Sequence, residues 1–252
     1  MKSQMFAHSP GLSPIQSTSS FADADQRIAD SIRQVAKQAN RPIRILEAGC
    51  GNRWPLVLGD IDYHLTGVDL DAAALDIRCR VRKDLNEAIH GDLCSVALAK
   101  ESFDVVYSAY VLEHIARADQ ALTNMTGALR AGGLLVLSIP DPQTARGLVT
   151  RATPFWFHVF YHRWVLNRRQ AGTPGHAPYP TYYHPVIYRA GLAAFARERN
   201  LECIAVYADT FARYGRGLGG LLFRAAARIL DGLSVGHFTS RYNNLTYIFQ
   251  KS

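Results

Sequence analysis

The stretch from Ile43 to Asp71 constrains the fold more than any other part of the chain. It begins with a short apolar run that stops at the turn Gly49-Cys50-Gly51, and a second apolar run ends in Asp69. A buried strand, a glycine turn and an acid about 20 residues further on are typical of a Rossmann-type sheet. The turn has no side chains to block a ligand, and the acid accepts hydrogen bonds from a ribose diol. The pattern therefore predicts a nucleotide-binding α/β fold.

The residues after the glycine turn indicate which nucleotide this fold holds. A dinucleotide site needs a third glycine, because that glycine lets helix and strand pack closely. Trp54 stands in its place, and Pro55 follows. The indole is too large for the tight pyrophosphate turn, so the sequence disfavours NAD and FAD.

The chain around this stretch alternates between strand and helix patterns. A first helix is expected from Asp23 to Arg41. The later predicted strands are 43–48, 64–69, 103–108, 134–139, 201–207 and 244–250. The later predicted helices are 54–60, 71–79, 111–116, 118–130 and 186–199. Strands that alternate with helices form a parallel sheet with right-handed crossovers, and ligands lie at the carboxyl ends of its strands.

Five motifs occur in order between residues 43 and 140. They are Glu47-Ala48-Gly49-Cys50-Gly51, Gly67-Val68-Asp69, His90-Gly91-Asp92-Leu93, Phe103 to Ile115, and Leu129 to Leu137 with its Gly132-Gly133 pair. Together they resemble class I S-adenosylmethionine-dependent methyltransferases with a methyltransferase type 11-like domain. The chain departs from that family at Arg53, where many members carry glycine, and at Ala131, where proline is usual.

The resemblance implies a fold and a cofactor. The fold is a Rossmann-like, seven-stranded, mostly parallel sheet with helices on both faces, ending in one antiparallel strand, and it carries an acceptor-side helical and loop insertion. The cofactor is S-adenosyl-L-methionine, whose amino group, ribose and adenine fall to Glu47, Asp69 and Asp92. The full set of cofactor-binding residues implied is Glu47, Gly49, Cys50, Gly51, Asp69, Leu70, Asp92, Leu93 and Ser108.

Three residues of the fourth motif are candidates for catalysis. Tyr110, Glu113 and His114 stand at i, i+3 and i+4, which would place them on one side of a helix. His114 is the first candidate for a general base, because the unperturbed pKa of histidine lies near neutrality. A structural role for the Glu-His pair remains the alternative. No carboxylate–histidine cluster has metal-ligand spacing, so no metal is expected.

The chain divides by composition into a tail and one domain. Residues 1–22 are rich in Ser, Pro and Gly and are predicted to be a flexible tail, and residues 23–252 form the methyltransferase domain. Within it we expect a cofactor-binding core at 43–140, an acceptor-side lid region at 141–200, and an amphipathic insertion at 208–240 before the last strand.

The lid region contains two unusual segments. Residues 155–166 are apolar or aromatic nearly all round, so a helix there is expected to be covered on several sides. Residues 172–185 form a proline-rich loop with three tyrosines. Both follow the fifth motif, so we expect them to form an acceptor cavity over the cofactor.

Positive charge is concentrated outside the cofactor motifs. Residues 144–228 contain twelve arginines, no lysine and three acids, while the whole chain has a net charge of +7. This charge suits an anionic substrate, lipid headgroups, RNA or plain solvent. Residues 217–233 place Leu218, Leu221, Leu222, Ala225, Ile229 and Leu233 opposite Arg216, Arg224 and Arg228. That segregation predicts peripheral attachment to anionic membranes, with packing on the protein core as the alternative.

The sequence thus predicts a methyltransferase acting on oxygen or nitrogen of a small-molecule or lipid/glycan-linked acceptor. A nucleic-acid methyltransferase and a non-catalytic S-adenosylmethionine-binding protein are the alternatives, and no specific nucleic acid is expected. The four cysteines form no Cys-x-x-Cys pair, and neither a secretory signal nor a run of 18 apolar residues occurs. We therefore expect a cytoplasmic protein, peripheral to the membrane if the helix at 217–233 binds lipid.

Overall fold

One eight-stranded sheet forms the centre of the computed structural model. The structure describes residues 11–165, 167–173, 178–209, 225–229, 231–234 and 239–252. The strands are β1 (Ile15–Thr18), β2 (Ile43–Ala48), β3 (Tyr63–Asp69), β4 (Glu87–His90), β5 (Phe103–Ala109), β6 (Leu129–Pro140), β7 (Leu201–Asp209) and β8 (Asn244–Lys251). Their spatial order is β1-β7-β8-β6-β5-β2-β3-β4. Neighbours are parallel except around β8, which is antiparallel to both β6 and β7.

The sheet confirms the predicted Rossmann-like class and the antiparallel last strand, but it has one strand more than the seven expected. Two observed strands, β1 and β4, are not among the six that the sequence pattern located, and β1 lies in the segment predicted to be a flexible tail. Ile15 to Thr18 pair in parallel with Val206 to Asp209 of β7. The tail prediction is therefore wrong for residues 11–22, because the pairing partner lies far along the chain and leaves no local pattern. Residues 1–10 lie outside the described residues.

Helix α1 (Phe21–Ala39) begins directly after this strand. The side-chain oxygen of Ser20 accepts a hydrogen bond from the Asp23 amide at 3.0 Å, which is a standard N-cap. Ile28 and Ile32 are buried against the sheet, as their helical spacing predicts. Asn40 then adopts φ 49°, and this left-handed residue ends the helix.

The helix predicted at 54–60 does not form. Leu56 and Leu58 are 4% and 3% exposed, whereas Val57 between them is 79% exposed. Alternation of this kind is typical of extended chain. Arg33 donates from Nη2 to the Val57 carbonyl at 2.7 Å and from Nε to the Leu58 carbonyl at 3.0 Å. These carbonyls are therefore satisfied by an arginine of α1, which replaces the hydrogen bonds of a helix.

The remaining helices cover the faces of the sheet. They are α2 (Ala72–Asp76), α3 (Ala118–Ala128), α4 (Ala145–Ala152), α5 (Phe155–Phe160) and α6 (Arg189–Glu198). π-helical turns follow at Ile77–Arg82 and Tyr161–Val165, and 3₁₀ turns lie at Leu112–His114 and Pro185–Ile187. The predicted helix 111–116 is thus a single 3₁₀ turn. The predicted helix 118–130 ends at Ala128, because Leu129 already pairs with Phe103 in the sheet.

Two apolar clusters hold the layers together. Adjacent residues of β2 point to opposite faces. Ile45 belongs to the cluster on one face, with Ile28 and Ile32 of α1, whereas Leu46 belongs to the cluster on the other face, which also contains Leu122 of α3 and Leu192 of α6. The strands in the middle of the sheet are therefore covered on both sides, as parallel sheets require.

The aromatic segment at 155–165 is not covered as predicted. No residue of α5 is buried, and Trp156 and Trp164 are 67% and 76% exposed. Aromatic residues predict that burial of this segment would be favourable. They do not show whether another segment of the same chain packs over it. The expectation of a helix covered on several sides is wrong for the described residues, which exclude residue 166.

Only part of the predicted amphipathic insertion at 208–240 can be described. Residues 225–229 and 231–233 are helical, and Ile229 and Leu233 of its apolar face are 63% and 76% exposed. Five members of the two predicted faces lie outside the described residues: Arg216, Leu218, Leu221, Leu222 and Arg224. Within the described part of the chain, no helix is long and apolar enough to cross a bilayer.

Candidate active site

The glycine turn follows β2 at the carboxyl ends of the parallel strands. It lies between β2 and β5, where the order of strands across the sheet changes direction. The amides of Gly49 and Cys50 donate to the Val68 carbonyl at 2.8 and 3.1 Å. Gly49 has φ +75°, and a Cβ on it would lie 2.3 Å from Val111 Cγ2, so only glycine fits. Gly51 has φ +52°, and a Cβ there would meet nothing within 4 Å. A ligand atom therefore has no room beside the Cα of Gly49, whereas the Cα of Gly51 borders open space.

Asp69, the last residue of β3, fixes this turn. Its Oδ2 accepts the Gly51 amide at 2.8 Å, and its Oδ1 accepts the Asp71 amide at 2.9 Å. Each carboxylate oxygen has a second lone pair, so the group keeps acceptor capacity for a further ligand. Its side chain is half-buried. Backbone amides therefore hold this carboxylate in place while it can still accept a hydrogen bond from a ligand.

An arginine that the sequence analysis did not single out lies beneath the turn. Arg78 is fully buried; its Nη2 lies 2.8 Å from Oε2 of Glu47, its Nε 2.7 Å from Oδ1 of Asp84, and its Nη1 2.7 Å from the Cys50 carbonyl. Burial raises the pKa of Glu47, and the Arg78 guanidinium opposes part of that shift. The basic run Arg78 to Lys83 resembles a solvated surface in the sequence, so no local signal marked Arg78 as buried.

Asp92 lies at the same edge of the sheet. β4 pairs with β3 so that His90 stands opposite Asp69, and Asp92 follows His90 by two residues. Oδ1 of Asp92 accepts the Cys94 amide at 2.8 Å. As with Asp69, one oxygen orients the carboxylate while the group stays half-buried.

The three remaining predicted cofactor residues differ in accessibility. The side chain of Leu70 is 68% exposed, whereas Leu93 and Ser108 are 4% and 2% exposed. The hydroxyl oxygen of Ser108 is buried without a hydrogen-bond partner among the described residues. Leu70 therefore offers an open apolar surface beside Asp69, while Leu93 and Ser108 are closed to a ligand in this structure.

A cavity of about 1090 Å³ opens over the glycine turn. Of the predicted site residues, its wall contains Glu47, Gly49, Cys50, Gly51, Tyr110, Glu113 and His114, but not Asp69, Leu70, Asp92, Leu93 or Ser108. Phe155, His158 and His162 of the aromatic segment and residues 178–183 of the proline-rich loop also line it. The polar wall residues that sequence reasoning missed include Asp25, Arg53, Ser138, Asn243, Asn244 and Thr246. Most of these stand in elements whose pattern indicated only packing.

Tyr110, Glu113 and His114 meet at this cavity, but not on one face of an α-helix as predicted. Tyr110 follows β5 with φ 59°, a conformation that costs a bulky residue energy and is often found at functional sites. Its amide donates to the Ser138 carbonyl at 2.8 Å. The 3₁₀ turn Leu112–His114 then directs both Glu113 and His114 into the cavity wall.

The tautomer of His114 is fixed by one hydrogen bond. Its Nδ1 lies 2.7 Å from the Pro180 carbonyl. A carbonyl oxygen only accepts, so Nδ1 carries the proton and Nε2 of the neutral ring has a free lone pair. Burial lowers the pKa of His114 below its ordinary value, and the hydrogen bond to Pro180 opposes part of that change. The ring is therefore an available proton acceptor at neutral pH.

Glu113 is a buried carboxyl next to this histidine. Its side chain is 4% exposed, and Oε1 lies 3.8 Å from Nε2 of His114. Oε2 has no hydrogen-bond partner among the described residues. Burial raises the pKa of Glu113 to about 8. The group is thus neutral at pH 7 and can donate a proton or a hydrogen bond into the cavity.

No group of three or more His, Cys, Asp or Glu side chains among the described residues could hold a metal ion. The glycine turn instead fits a nucleoside cofactor, since Gly51 borders open space and Asp69 keeps acceptor capacity at its side. The fold is Rossmann-like, as in class I methyltransferases.

Comparison with known proteins agrees with this class. Residues 46–137 match the model of the methyltransferase domain family. The matched segment is a methyltransferase domain. A protein of Mycolicibacterium smegmatis named as a probable S-adenosylmethionine-dependent methyltransferase is 32% identical over 113 residues. That match covers 44% of this chain and 44% of the relative, so the chain spans less than half of the relative's length.

Solved structures share the fold over most of the chain. The [4+2]-cyclase SpnF superposes with a TM-score of 0.53 at 16% identity, over 91% of this chain and 82% of its own. Geranyl diphosphate C-methyltransferase from Streptomyces coelicolor A3(2) gives 0.52 at 13% identity, over 90% and 76%. One of these proteins is a cyclase, so the shared fold alone does not assign a reaction.

Proposed function

We propose that this chain is an S-adenosylmethionine-dependent methyltransferase that methylates oxygen or nitrogen of a small-molecule or lipid/glycan-linked acceptor. One observation carries the proposal: the glycine turn and the Glu113–His114 pair line the same cavity. S-adenosylmethionine, when bound, supplies a methyl group on a sulfonium sulfur. The chain's own residues then have three tasks, which are to hold the cofactor, align the acceptor and remove its proton.

The residues that would hold the cofactor lie along the carboxyl ends of β2, β3 and β4. The turn at Gly49 to Gly51 leaves room for the methionine part. Asp69 would accept hydrogen bonds from the ribose hydroxyls, and Leu70 and Asp92 would border the adenine. Glu47 is held by Arg78 at 2.8 Å, so it supports the turn and orients ligand atoms through a fixed carboxylate.

The acceptor would lie between the turn and the lid. Ligand cavities of drug-sized molecules are about 300–1,000 Å³, and this one measures about 1090 Å³. It has room for the reactive end of the cofactor together with a modest acceptor. Phe155, Tyr179 and Tyr182 make its outer wall aromatic, which favours an acceptor with an apolar part.

Proton removal falls to His114. A hydroxyl or ammonium acceptor must lose a proton during transfer, and Nε2 of neutral His114 can take it. The Pro180 carbonyl, 2.7 Å from Nδ1, stabilises the imidazolium that results. The neutral carboxyl of Glu113 can orient the acceptor by donating a hydrogen bond. Positioned acid–base groups of this kind contribute roughly 10²–10⁴-fold to rates.

The test begins with the cofactor. We expect calorimetry to show binding of S-adenosylhomocysteine by the folded chain and no comparable binding of NAD. Gly51→Ala should weaken this binding, because the new methyl enters the open space at the turn. Gly132→Ala is the matched control, since Gly132 also has positive φ (+76°) and nothing within 4 Å, but lies outside the cavity wall. Equal affinity in the two variants, or tight NAD binding, contradicts the proposal.

Methyl transfer itself is tested with S-adenosylmethionine labelled in the methyl group. The label should move to hydroxyl- or amine-bearing small molecules or lipids in a cell extract, and not to RNA. Transfer to RNA would instead favour the nucleic-acid alternative. Cofactor binding without transfer to any fraction would favour a non-catalytic binding protein.

A further inference from the structure

The helical segment from Phe155 to Val165 presents two different faces. Phe155, His158 and His162 stand at i, i+3 and i+7 and line the cavity. Trp156, Phe160 and Trp164 stand at a spacing of four residues on the other side. We call these three residues the aromatic ridge. One short helical segment therefore forms both a wall of the cavity and part of the outer surface.

The aromatic ridge is strongly exposed. Trp156, Phe160 and Trp164 are 67%, 50% and 76% exposed, and the rings of Phe160 and Trp164 lie 6.5 Å apart. Single exposed apolar residues are ordinary on protein surfaces, but adjacent large aromatic side chains mark an interaction site. The packing of the described chain does not require them, since the core clusters contain no residue of α5.

The sequence around the ridge is rich in arginine and contains no acid. From Gln143 to Arg197 the sequence contains seven arginines and no acid. Arg163 follows Phe160 in the same helical segment, and Arg168 and Arg169 follow it and are exposed. Nε of Arg163 donates to the Ala171 carbonyl at 2.8 Å, so its guanidinium is held at this surface. This surface therefore suits a partner that is apolar at its centre and anionic around it.

We propose that the aromatic ridge docks on an anionic lipid bilayer. Tryptophan and phenylalanine enter the boundary between headgroups and acyl chains, while neighbouring arginines bind lipid phosphates. A protein partner would need its own acidic rim around an apolar groove, whereas an anionic bilayer has both properties at every point. This surface differs from the helix at 217–233, for which the sequence predicted membrane contact.

Docking through the ridge extends the proposed function. The inner face of the same segment lines the cavity, so the cavity wall would lie at the lipid boundary. An acceptor with an apolar chain could then enter from the bilayer without crossing water. This statement about the acceptor depends on the proposed function, whereas the docking itself does not.

Co-sedimentation of the full chain with vesicles tests the inference. We expect binding to phosphatidylcholine vesicles that contain phosphatidylglycerol, and weaker binding to phosphatidylcholine alone. Raised salt should reduce the first, because screening weakens the arginine contacts. Trp156→Ala, Phe160→Ala and Trp164→Ala combined should lower partitioning by at least about tenfold. Arg168→Gln with Arg169→Gln should lower it by roughly fivefold per residue, and only for the anionic vesicles.

The control changes exposed apolar residues away from the ridge. Val57 and Val81 are 79% and 71% exposed, so Val57→Ser with Val81→Ser should leave vesicle binding unchanged. S-adenosylhomocysteine affinity, measured on every variant, should also be unchanged and shows that each variant is folded. If the unmodified chain binds vesicles but not S-adenosylhomocysteine, the proposed function is contradicted while the docking proposal is still supported.

Two kinds of result would overturn the docking proposal. One is a negative vesicle experiment, in which the parent and the ridge variant sediment equally or the parent binds neither vesicle. The other is a dimer in sedimentation velocity that the ridge variant abolishes, without vesicle binding by the parent. That second result would assign the ridge to contact between two copies of the chain.

Discussion

Arg78 and Glu47 form an ion pair beneath the glycine turn, with Nη2 and Oε2 2.8 Å apart and side chains that are 0% and 4% exposed. The same guanidinium donates to the Cys50 carbonyl at 2.7 Å. Arg78 therefore joins Glu47, next to the end of β2, to the backbone of the turn itself. A buried pair of this kind is costly to break, because the remaining charge has no water to solvate it.

Arg78→Met should destabilise the fold, because Glu47, Asp84 and the Cys50 carbonyl all lose their buried donor. Breaking a buried pair on one side typically costs about 3–5 kcal/mol. Glu47→Gln combined with Arg78→Met removes both members of the pair, although Asp84 still lacks its partner, and should recover part of that loss. Urea unfolding of the two single variants and the double variant gives the coupling energy between the sites. Strictly additive effects would show that the pair contributes no coupling.

Asp69→Ala should weaken S-adenosylhomocysteine binding by at least about tenfold, since hydrogen bonds to a charged group are worth about 1.5–3 kcal/mol each. The structure adds a second reason: Asp69 holds the Gly51 amide at 2.8 Å. Asp69→Asn keeps one acceptor oxygen without the charge, so its affinity should fall between parent and alanine variant. Calorimetry on folded variants decides this, and unchanged affinity in Asp69→Ala would contradict the assigned role.

His114→Asn should lower the turnover number by about 10²–10⁴-fold while leaving cofactor affinity nearly unchanged. The asparagine amide can still donate toward the Pro180 carbonyl, but it lacks the basic Nε2. Steady-state kinetics and calorimetry on the same protein separate the two effects. An equal loss of cofactor affinity would assign His114 to binding or structure.

The pH profile provides a second check on His114. Because burial lowers its pKa below the ordinary value of 6.5, the ring is already neutral at pH 7. We expect kcat/KM to be level near neutrality and to fall only on the acid side, below about pH 6.5. The acid limb should be absent from the residual activity of His114→Asn. A limb that persists would belong to another group.

Glu113→Gln should flatten the pH dependence of stability. The pKa of Glu113 is raised by burial from 4.5 to about 8, so between these values the folded state holds the extra proton. Its contribution to the free energy of unfolding is complete below about pH 4.5 and is lost as pH rises through about 8. The slope for one group reaches about 1.4 kcal/mol per pH unit.

The measurement compares urea unfolding of parent and variant across that pH range. Glu47 titrates in the same direction, so the informative quantity is the difference between the two profiles. Glu47→Gln, measured in parallel, shows how much of the pH dependence of the free energy of unfolding comes from Glu47. Identical profiles for the parent and Glu113→Gln would show that Glu113 ionises normally in the folded chain.

Local patterns predicted most of the central fold. Strands 43–48 and 244–250 and the first helix were found close to their observed bounds, because each carries its own apolar period. The strand β1 was missed and the helix at 54–60 was wrong, because both depend on distant partners: β7 for Ile15 to Thr18, and Arg33 for the carbonyls of Val57 and Leu58.

The candidate site follows the same division. The glycine turn and the Glu113–His114 pair could be recognised from the sequence, because glycine at a strand end and histidine after a buried strand each indicate a functional site. Their geometry is not visible: Tyr110 has a left-handed backbone, and His114 owes its tautomer to the Pro180 carbonyl, 66 residues away. Arg78 was missed because two of its partners, Glu47 and the Cys50 carbonyl, lie 31 and 28 residues earlier in the chain.

The position of β8 has a consequence for how this chain folds. β8 lies between β6 and β7 in the sheet, although it is the last strand in chain order. Until residues 244–251 are made, β1 and β7 have no strand that joins them to the other five. During synthesis the cofactor-binding half can therefore assemble first, while the edges of β6 and β7 stay unpaired. Those open edges make the nascent chain most prone to aggregation just before its final strand appears.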